Sequence, residues 1–444
     1  SSQFHVRLLM EGFFLFLQLS FLALLFLWFQ IGAKFNFQVV VSFTQKETTM
    51  SKIRKTFLAG FIALTLFTVL NISQERMEQS ALAVNNDRMA PQFEVDPYWP
   101  QPLANKWLLG RTIGIAIDER DHLFVVHRDQ DSMFMSQELG LDLGRAECCT
   151  AAPPILEFDS DGNLINAWGG PGEGYTWPES NHGIEVAPDG NVWIGGNGSG
   201  DSHVLVFTRD GEFVREIGIP GEPINSLSTS SFGRVAEIAI DESAGEAYFA
   251  DGYGNKRVAV VDVATGSFKR FWGAYGNTPT DDRVVYDPNE PLPQQFVGPV
   301  HCAEPSNDGL IYVCDRGADR IQVFRPDGSF VKEGQVAPLT LAGTTWDIAF
   351  SPDEAQEFIY VADGANFKVH ILDRDSLEVL AEFGDGGRQP GLFFGTHSIV
   401  TDSQGNIYTT ETYEGKRVQK FLYRGMRPLS DHRTGAPWPA EERH

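Results

Sequence analysis

Three histidines occupy one position of an internal repeat, and only in alternate copies: His182 in NHGIEVAPDG, His301 in VHCAEPSNDG and His397 in THSIVTDSQG. The intervening copies carry Ile113, Ala236 and Trp346 at the same position. Three imidazoles with an open fourth position are the donor set of a catalytic zinc site. The set forms only if alternate copies converge, and six copies in a ring place them about 120° apart around a central axis. A second group falls at or just past the end of the second strand in the copies: Arg128 in LFVVHR, Tyr253 in ADGYGNKR and Arg316 in CDRGADRIQ. Guanidinium forks suit a carboxylate. A tyrosine serves as general base once a nearby cation lowers its pKa.

The repeat that must position these residues has two halves. The first is an apolar strand, a turn rich in Asp, Gly or Asn, and a second strand, as in GIEVAPDGNVWIGG and SIVTDSQGNIYTTE. The second half repeats the scheme and often ends at glycine, as in VLVFTRDGEFVREIG and IQVFRPDGSFVKEG. Alternating strands of 4–6 residues joined by Asp-Gly turns are hairpins, and four short strands per unit indicate propeller blades. The expected fold is therefore all-β, a six-bladed propeller with blades at about 112–170, 182–218, 235–273, 299–334, 346–384 and 397–425. The sixth lacks a clear fourth strand. Residues 92–108 are expected to supply it and close the ring, leaving no open sheet edge.

Residues 13–30 and 57–70 are apolar runs. The second follows a basic stretch after Met50, and Ser80-Ala-Leu-Ala83 has the small residues of a signal-peptidase site. Residues 1–49 are read as an upstream extension, 50–83 as a signal peptide or retained membrane anchor, and 84–444 as an exported propeller, monomeric and large enough for one core. With 59 acidic against 35 basic residues the net charge is −24, which argues against nucleic-acid binding. Cys302 and Cys314 flank a hairpin turn and are placed to pair, as an exported context permits. Cys148 and Cys149 are adjacent, and their pairing is left open.

His122, His127, His203 and His370 lack the repeat phase and are read as ordinary. His127 points to the opposite side of its strand from Arg128. Arg257, Arg320 and Arg417 recur just past the second strand and are expected to salt-bridge between blades. Asp251, Asp315 and Asp363 are read as structural hydrogen-bond acceptors, and Trp168, Trp272 and Trp346 as core or channel-mouth residues.

Taken jointly, NHGI, VHCA, THSI, LFVVHR, ADGYGNKR and CDRGADRIQ resemble the peptidyl-α-hydroxyglycine α-amidating lyase family, six-bladed propellers of NHL-repeat type. The resemblance spans about residues 92–425. It implies zinc on His182, His301 and His397, with Tyr253, Arg128 and Arg316 catalytic. It implies cleavage of the N–Cα bond of a C-terminal α-hydroxyglycine to an amide and glyoxylate. It also implies a structural calcium held partly by an aspartate after the third histidine, where this chain has Ser398. The expected substrate is a small molecule or peptide bearing a carboxylate. Alternatives are a non-catalytic NHL-type binding propeller and another metal-dependent propeller enzyme. Lactonase-like propellers use acidic ligands, and streptogramin-type lyases use magnesium with a different histidine arrangement.

Overall fold

The structure, a computed structural model, describes residues 88–129 and 132–429. The expectations for residues 1–83 lie outside the described residues, and no described helix is long and apolar enough to cross a membrane.

Six four-stranded antiparallel sheets follow one another along the chain. Their inner strands are Arg111–Ile117, Asn181–Val186, Val235–Asp241, Val300–Pro305, Asp347–Phe350 and Thr396–Thr401. Each inner strand packs beside that of the next blade, and the sixth packs beside the first. The ring is thus closed, as expected. Closure is made by β1, Met89–Asp96, which pairs antiparallel with the long third strand of blade six, Arg417–Pro428. The closing strand sits at the start of the segment expected to supply it and slightly before. Trp107–Leu108 instead forms a short parallel pair with Thr150–Ala151, within the insertion of blade one.

Alternating apolar residues along each strand fill the space between blades, so every inter-blade interface is its own core. The interface of blades one and two holds Phe124, Ile155, Ile194 and Phe207, and that of blades four and five holds Ile321, Val323, Ile359 and Leu372. Trp168 and Trp272 end the fourth strands of blades one and three. Each lies against the glycine of the next blade's outer turn. At Gly211, where φ is +85°, an added Cβ would stand 2.8 Å from the Trp168 ring, so the turn needs glycine for both conformation and clearance.

Arg257, Arg320 and Arg417 correct one expectation. They do not bridge between blades. Each pairs with the acid that closes strand two of its own blade: Arg257 with Asp251 at 2.7 Å, Arg320 with Asp315 at 2.9 Å and Arg417 with Glu411 at 2.6 Å. The same guanidinium groups donate to carbonyls of the connection entering that blade, Ser226 and Ser231, Gln295, and Leu392 respectively. The reason is spacing: acid and arginine face each other across the strand two–three hairpin. Asp251, Asp315 and Asp363 are the acceptors expected of them. Cys302 and Cys314 are disulfide-bonded, with Cα atoms 4.8 Å apart, and Cys148 is bonded to Cys149.

Phe93 on the closing strand is 3% exposed and its ring lies 5.3 Å from Tyr360 and 5.4 Å from Phe383. Phe93→Ala is expected to destabilise the fold by about 3–5 kcal/mol, read as a lowered midpoint in urea denaturation.

Candidate metal centre

His182, His301 and His397 are each the second residue of an inner strand, in blades two, four and six. At each one the pairing with strand two slips by one residue: between Asn181 and Ile184, between Val300 and Ala303, and between Thr396 and Ile399. A bulge of this kind re-aims a side chain, and here it accompanies imidazoles that meet at the axis. Beside His182 the blades approach so closely that a Cβ on Gly183 would lie 2.9 Å from the Glu237 Cα.

The three rings form a nearly equilateral triangle, with centroids 5.2 Å apart for His182–His301, 4.8 Å for His182–His397 and 5.0 Å for His301–His397. All three are at most 2% exposed. Each Nδ1 is tied to the next blade at the same repeat phase. His182 Nδ1 donates to the Ala236 carbonyl at 2.6 Å, and His301 Nδ1 donates to the Trp346 carbonyl. His397 Nδ1 donates to Ser398 Oγ at 3.1 Å, and that hydroxyl donates to the Ile113 carbonyl at 2.7 Å. A carbonyl only accepts, so Nδ1 carries the proton and the Nε2 lone pair is left free to act as a ligand. Burial, reinforced by the nearby arginines and, for His182 and His301, by neighbouring imidazoles, holds those two well below the ordinary histidine pKa and His397 at about 3. The rings are neutral, the form that coordinates a metal. The donor set fits zinc.

Tyr253 stands over this cluster. Its hydroxyl lies 3.0 Å from His182 Nε2 and 3.0 Å from His301 Nε2, and Arg316 Nη1 donates to it at 3.3 Å. The Arg316 guanidinium stacks on Trp346, 4.3 Å from the ring centroid, and its buried Nε has no hydrogen-bond partner among the described residues. Arg128 donates to Asn197 Oδ1 at 2.8 Å and to the Asn181 carbonyl at 3.2 Å. Its charge is felt at His182, His397 and Tyr253. All six residues singled out in the sequence are therefore brought together. One expectation about them changes: the Tyr253 pKa is raised, because burial outweighs the lowering influence of Arg316 and Arg128. His127 is structural as expected, accepting from the Gly110 N–H at 3.1 Å and lying 3.0 Å from the Pro153 carbonyl.

Sequence reasoning missed Asn181 and Asn197, which hold Arg128, and the role of Trp346 as the platform under Arg316. It also missed four carboxylates on the inner strands further along the axis: Glu185, Glu237, Glu304 and Asp347, which line one cavity. Burial is the first cause that raises each of them, Glu185 to about 8, Asp347 to about 6, and Glu237 and Glu304 well above the ordinary range. Glu237 and Asp347 lie close enough to share an ion. Oxygen donors of the kind calcium requires are thus present, while the Ser398 hydroxyl is engaged in tethering His397.

No family model matches the chain. NHL repeat-containing protein 3 of Mus musculus is 26% identical over 348 residues, covering 75% of this chain and 84% of that protein. The same protein of Homo sapiens is 25% identical over 346 residues, covering 74% and 84%. Peptidyl-glycine alpha-amidating monooxygenase of Mus musculus is 24% identical over 353 residues, covering 74% of this chain. The match spans only 32% of that longer relative. The chain is a six-bladed propeller similar to NHL-repeat proteins, with a buried tris-histidine cluster on its axis.

The carboxylates and histidines oppose each other in pH dependence. Between about pH 4.5 and 8 the native carboxylates hold protons that the unfolded chain has released, so they erode stability as pH rises. The neutral histidines refuse protons that the unfolded chain accepts below about pH 6.5, so they erode stability as pH falls. In chelator-treated protein, Glu185→Gln is expected to flatten the loss of stability between pH 5 and 8. Urea denaturation at the two pH values checks this, and an unchanged difference would remove Glu185 from the titration.

Proposed function

We propose that the chain is a zinc-dependent carbon–nitrogen lyase that cleaves a C-terminal α-hydroxyglycine, or a related carbinolamide, to an amide and glyoxylate. The observation that carries this reading is Tyr253, a phenol held 3.0 Å from two imidazole Nε2 atoms and 3.3 Å from a guanidinium. The partial match to an amidating monooxygenase supports the substrate class.

His182, His301 and His397 would hold the zinc, and Glu237 and Asp347 offer oxygen donors for the calcium that the resemblance implies. A bound divalent ion supplies positive charge beside Tyr253 and polarises an oxygen brought to the open position. The chain's own residues do the rest. The unsatisfied Nε of Arg316 and its stacked guanidinium receive the carboxylate, with Arg128 adding charge from the opposite side of the axis. Tyr253 takes the hydroxyl proton as the C–O bond becomes a carbonyl and the N–Cα bond breaks, and it returns that proton to the departing amide nitrogen. Burial keeps Tyr253 a neutral phenol even with Arg316 and Arg128 beside it, so its ionisation would depend on the added charge of the divalent ion. Export of the propeller is part of the same reading, supported by two disulfides that an oxidising compartment maintains.

A second reading is a non-catalytic binding propeller, favoured by the NHL-repeat relatives that match along 84% of their length. Metal and turnover separate the two. Wild-type protein is expected to carry about one zinc per chain on the histidine set, and His301→Ala to lose it, measured by elemental mass spectrometry. Tyr253→Phe is expected to keep the zinc while glyoxylate release from an α-hydroxyglycine peptide falls by about 10²–10⁴. Full turnover in Tyr253→Phe would remove Tyr253 from the mechanism. A wild-type protein with no stoichiometric metal after reconstitution would leave the binding propeller.

A further inference from the structure

The turn that carries Tyr253 has a counterpart across the ring. Asp251-Gly-Tyr253-Gly-Asn-Lys-Arg257 in blade three and Glu411-Thr-Tyr413-Glu-Gly-Lys-Arg417 in blade six share the acid, the tyrosine and the arginine at equal spacing. In both, the acid and the arginine are paired across the hairpin and joined by a salt bridge. Tyr413 therefore stands at the repeat position of Tyr253, three blades away around a six-bladed ring.

The two rings are used differently. Tyr253 is drawn in over the histidines, whereas Tyr413 is 48% exposed and has a left-handed backbone, with φ of +51°. A bulky residue adopts that conformation only where its surroundings hold it there. Tyr413 packs edge-on against Trp346, with centroids 6.2 Å apart, and its Cδ2 lies 2.9 Å from where a Cβ on Gly395 would be. The rim thus runs from Tyr253 through Arg316 and Trp346 to Tyr413. A second feature flanks the same stretch. Gly343 lies directly against the Arg316 carbonyl, and the Trp346 indole donates to the Gly343 carbonyl at 2.8 Å. The loop leading into Gly343 exposes Leu339 at 72% and Leu341 at 92%.

We infer that Tyr413 is a specificity-determining residue that contacts the acyl group on the nitrogen side of the reacting centre and favours an apolar or aromatic group there. The inference rests on the lyase reading. The carboxylate end of the substrate is small and goes to the buried arginines, so the remainder lies toward the exposed side, where Tyr413 packs on the Trp346 ring that carries Arg316. A half-bare aromatic ring there offers its face to a planar amide or an apolar side chain.

The test uses the full zinc-loaded chain and two non-reacting N-acylglycines, N-phenylacetylglycine and N-acetylglycine, with affinities from calorimetry. Wild type is expected to prefer the phenylacetyl compound about tenfold, the scale of one aromatic contact. Tyr413→Ala is expected to bring the ratio near one without changing affinity for N-acetylglycine, and Tyr413→Phe to retain the preference. With α-hydroxyglycine substrates, Tyr413→Ala should raise KM for apolar acyl groups and leave kcat unchanged. A preference that survives in Tyr413→Ala, or that wild type lacks, overturns the inference while the lyase reading stands. Binding of neither compound by wild type overturns the lyase reading, and this inference with it.

Discussion

The hydrogen bond from each axial imidazole to the neighbouring blade is the interaction on which the rest of the site depends. An imidazole on a β-strand has two nitrogens and a free χ2, and which nitrogen faces the axis is selected by what holds the other one. The carbonyls of Ala236 and Trp346, and that of Ile113 acting through Ser398, make the selection. These acceptors stand at the same repeat phase in the blades that follow, so each imidazole is tied to the blade after its own. Through their backbone carbonyls, Ile113, Ala236 and Trp346 thus fix the tautomer of the three imidazoles.

Charge is arranged around this triangle by depth. Arg128 and Arg316 lie on the Tyr253 side, and Glu185, Glu237, Glu304 and Asp347 line the channel further along the inner strands. The histidines between them are kept neutral mainly by burial, with the arginines reinforcing the effect. The carboxylates do not cancel the arginines, because burial favours their protonated form. On the Tyr253 side the buried Nε of Arg316 has no hydrogen-bond partner among the described residues, which favours an anion there.

Much of this was legible in the sequence, because a propeller repeats its geometry along the chain. Phase alone separates His182, His301 and His397 from His122, His127, His203 and His370, and the turn residues announce the hairpins. What the repeat conceals is whatever depends on a neighbouring blade. Arg257, Arg320 and Arg417 fail in the opposite direction: a link between blades is expected of them, but their acids lie on their own hairpins, six, five and six residues back, while their remaining donors reach the incoming connection. Glu185, Glu237 and Glu304 sit in strands that read as ordinary alternation, and only convergence at the axis buries them together. Tyr413 was visible in ETYEGKRV beside DGYGNKRV, but a neutral residue without a family counterpart draws no attention until its place on the rim is known.

The closure of the ring and the chemistry of its axis are one constraint. His397 belongs to blade six, the one blade assembled from both ends of the propeller, with Met89–Asp96 completing the sheet that Thr396–Thr401 begins. Its tether runs to Ile113 in blade one, across the seam where the circle meets itself. Thr112 crosses the same seam, its hydroxyl bonded to the Glu411 and Arg417 carbonyls. The third imidazole is thus correctly aimed only when the ring has shut. An open or slipped propeller would still present His182 and His301, but would lack the geometry of three. On the zinc reading proposed above, metal affinity would be coupled to closure of the whole ring rather than to any single blade, because the seam is held by these side chains as well as by the strand ladder.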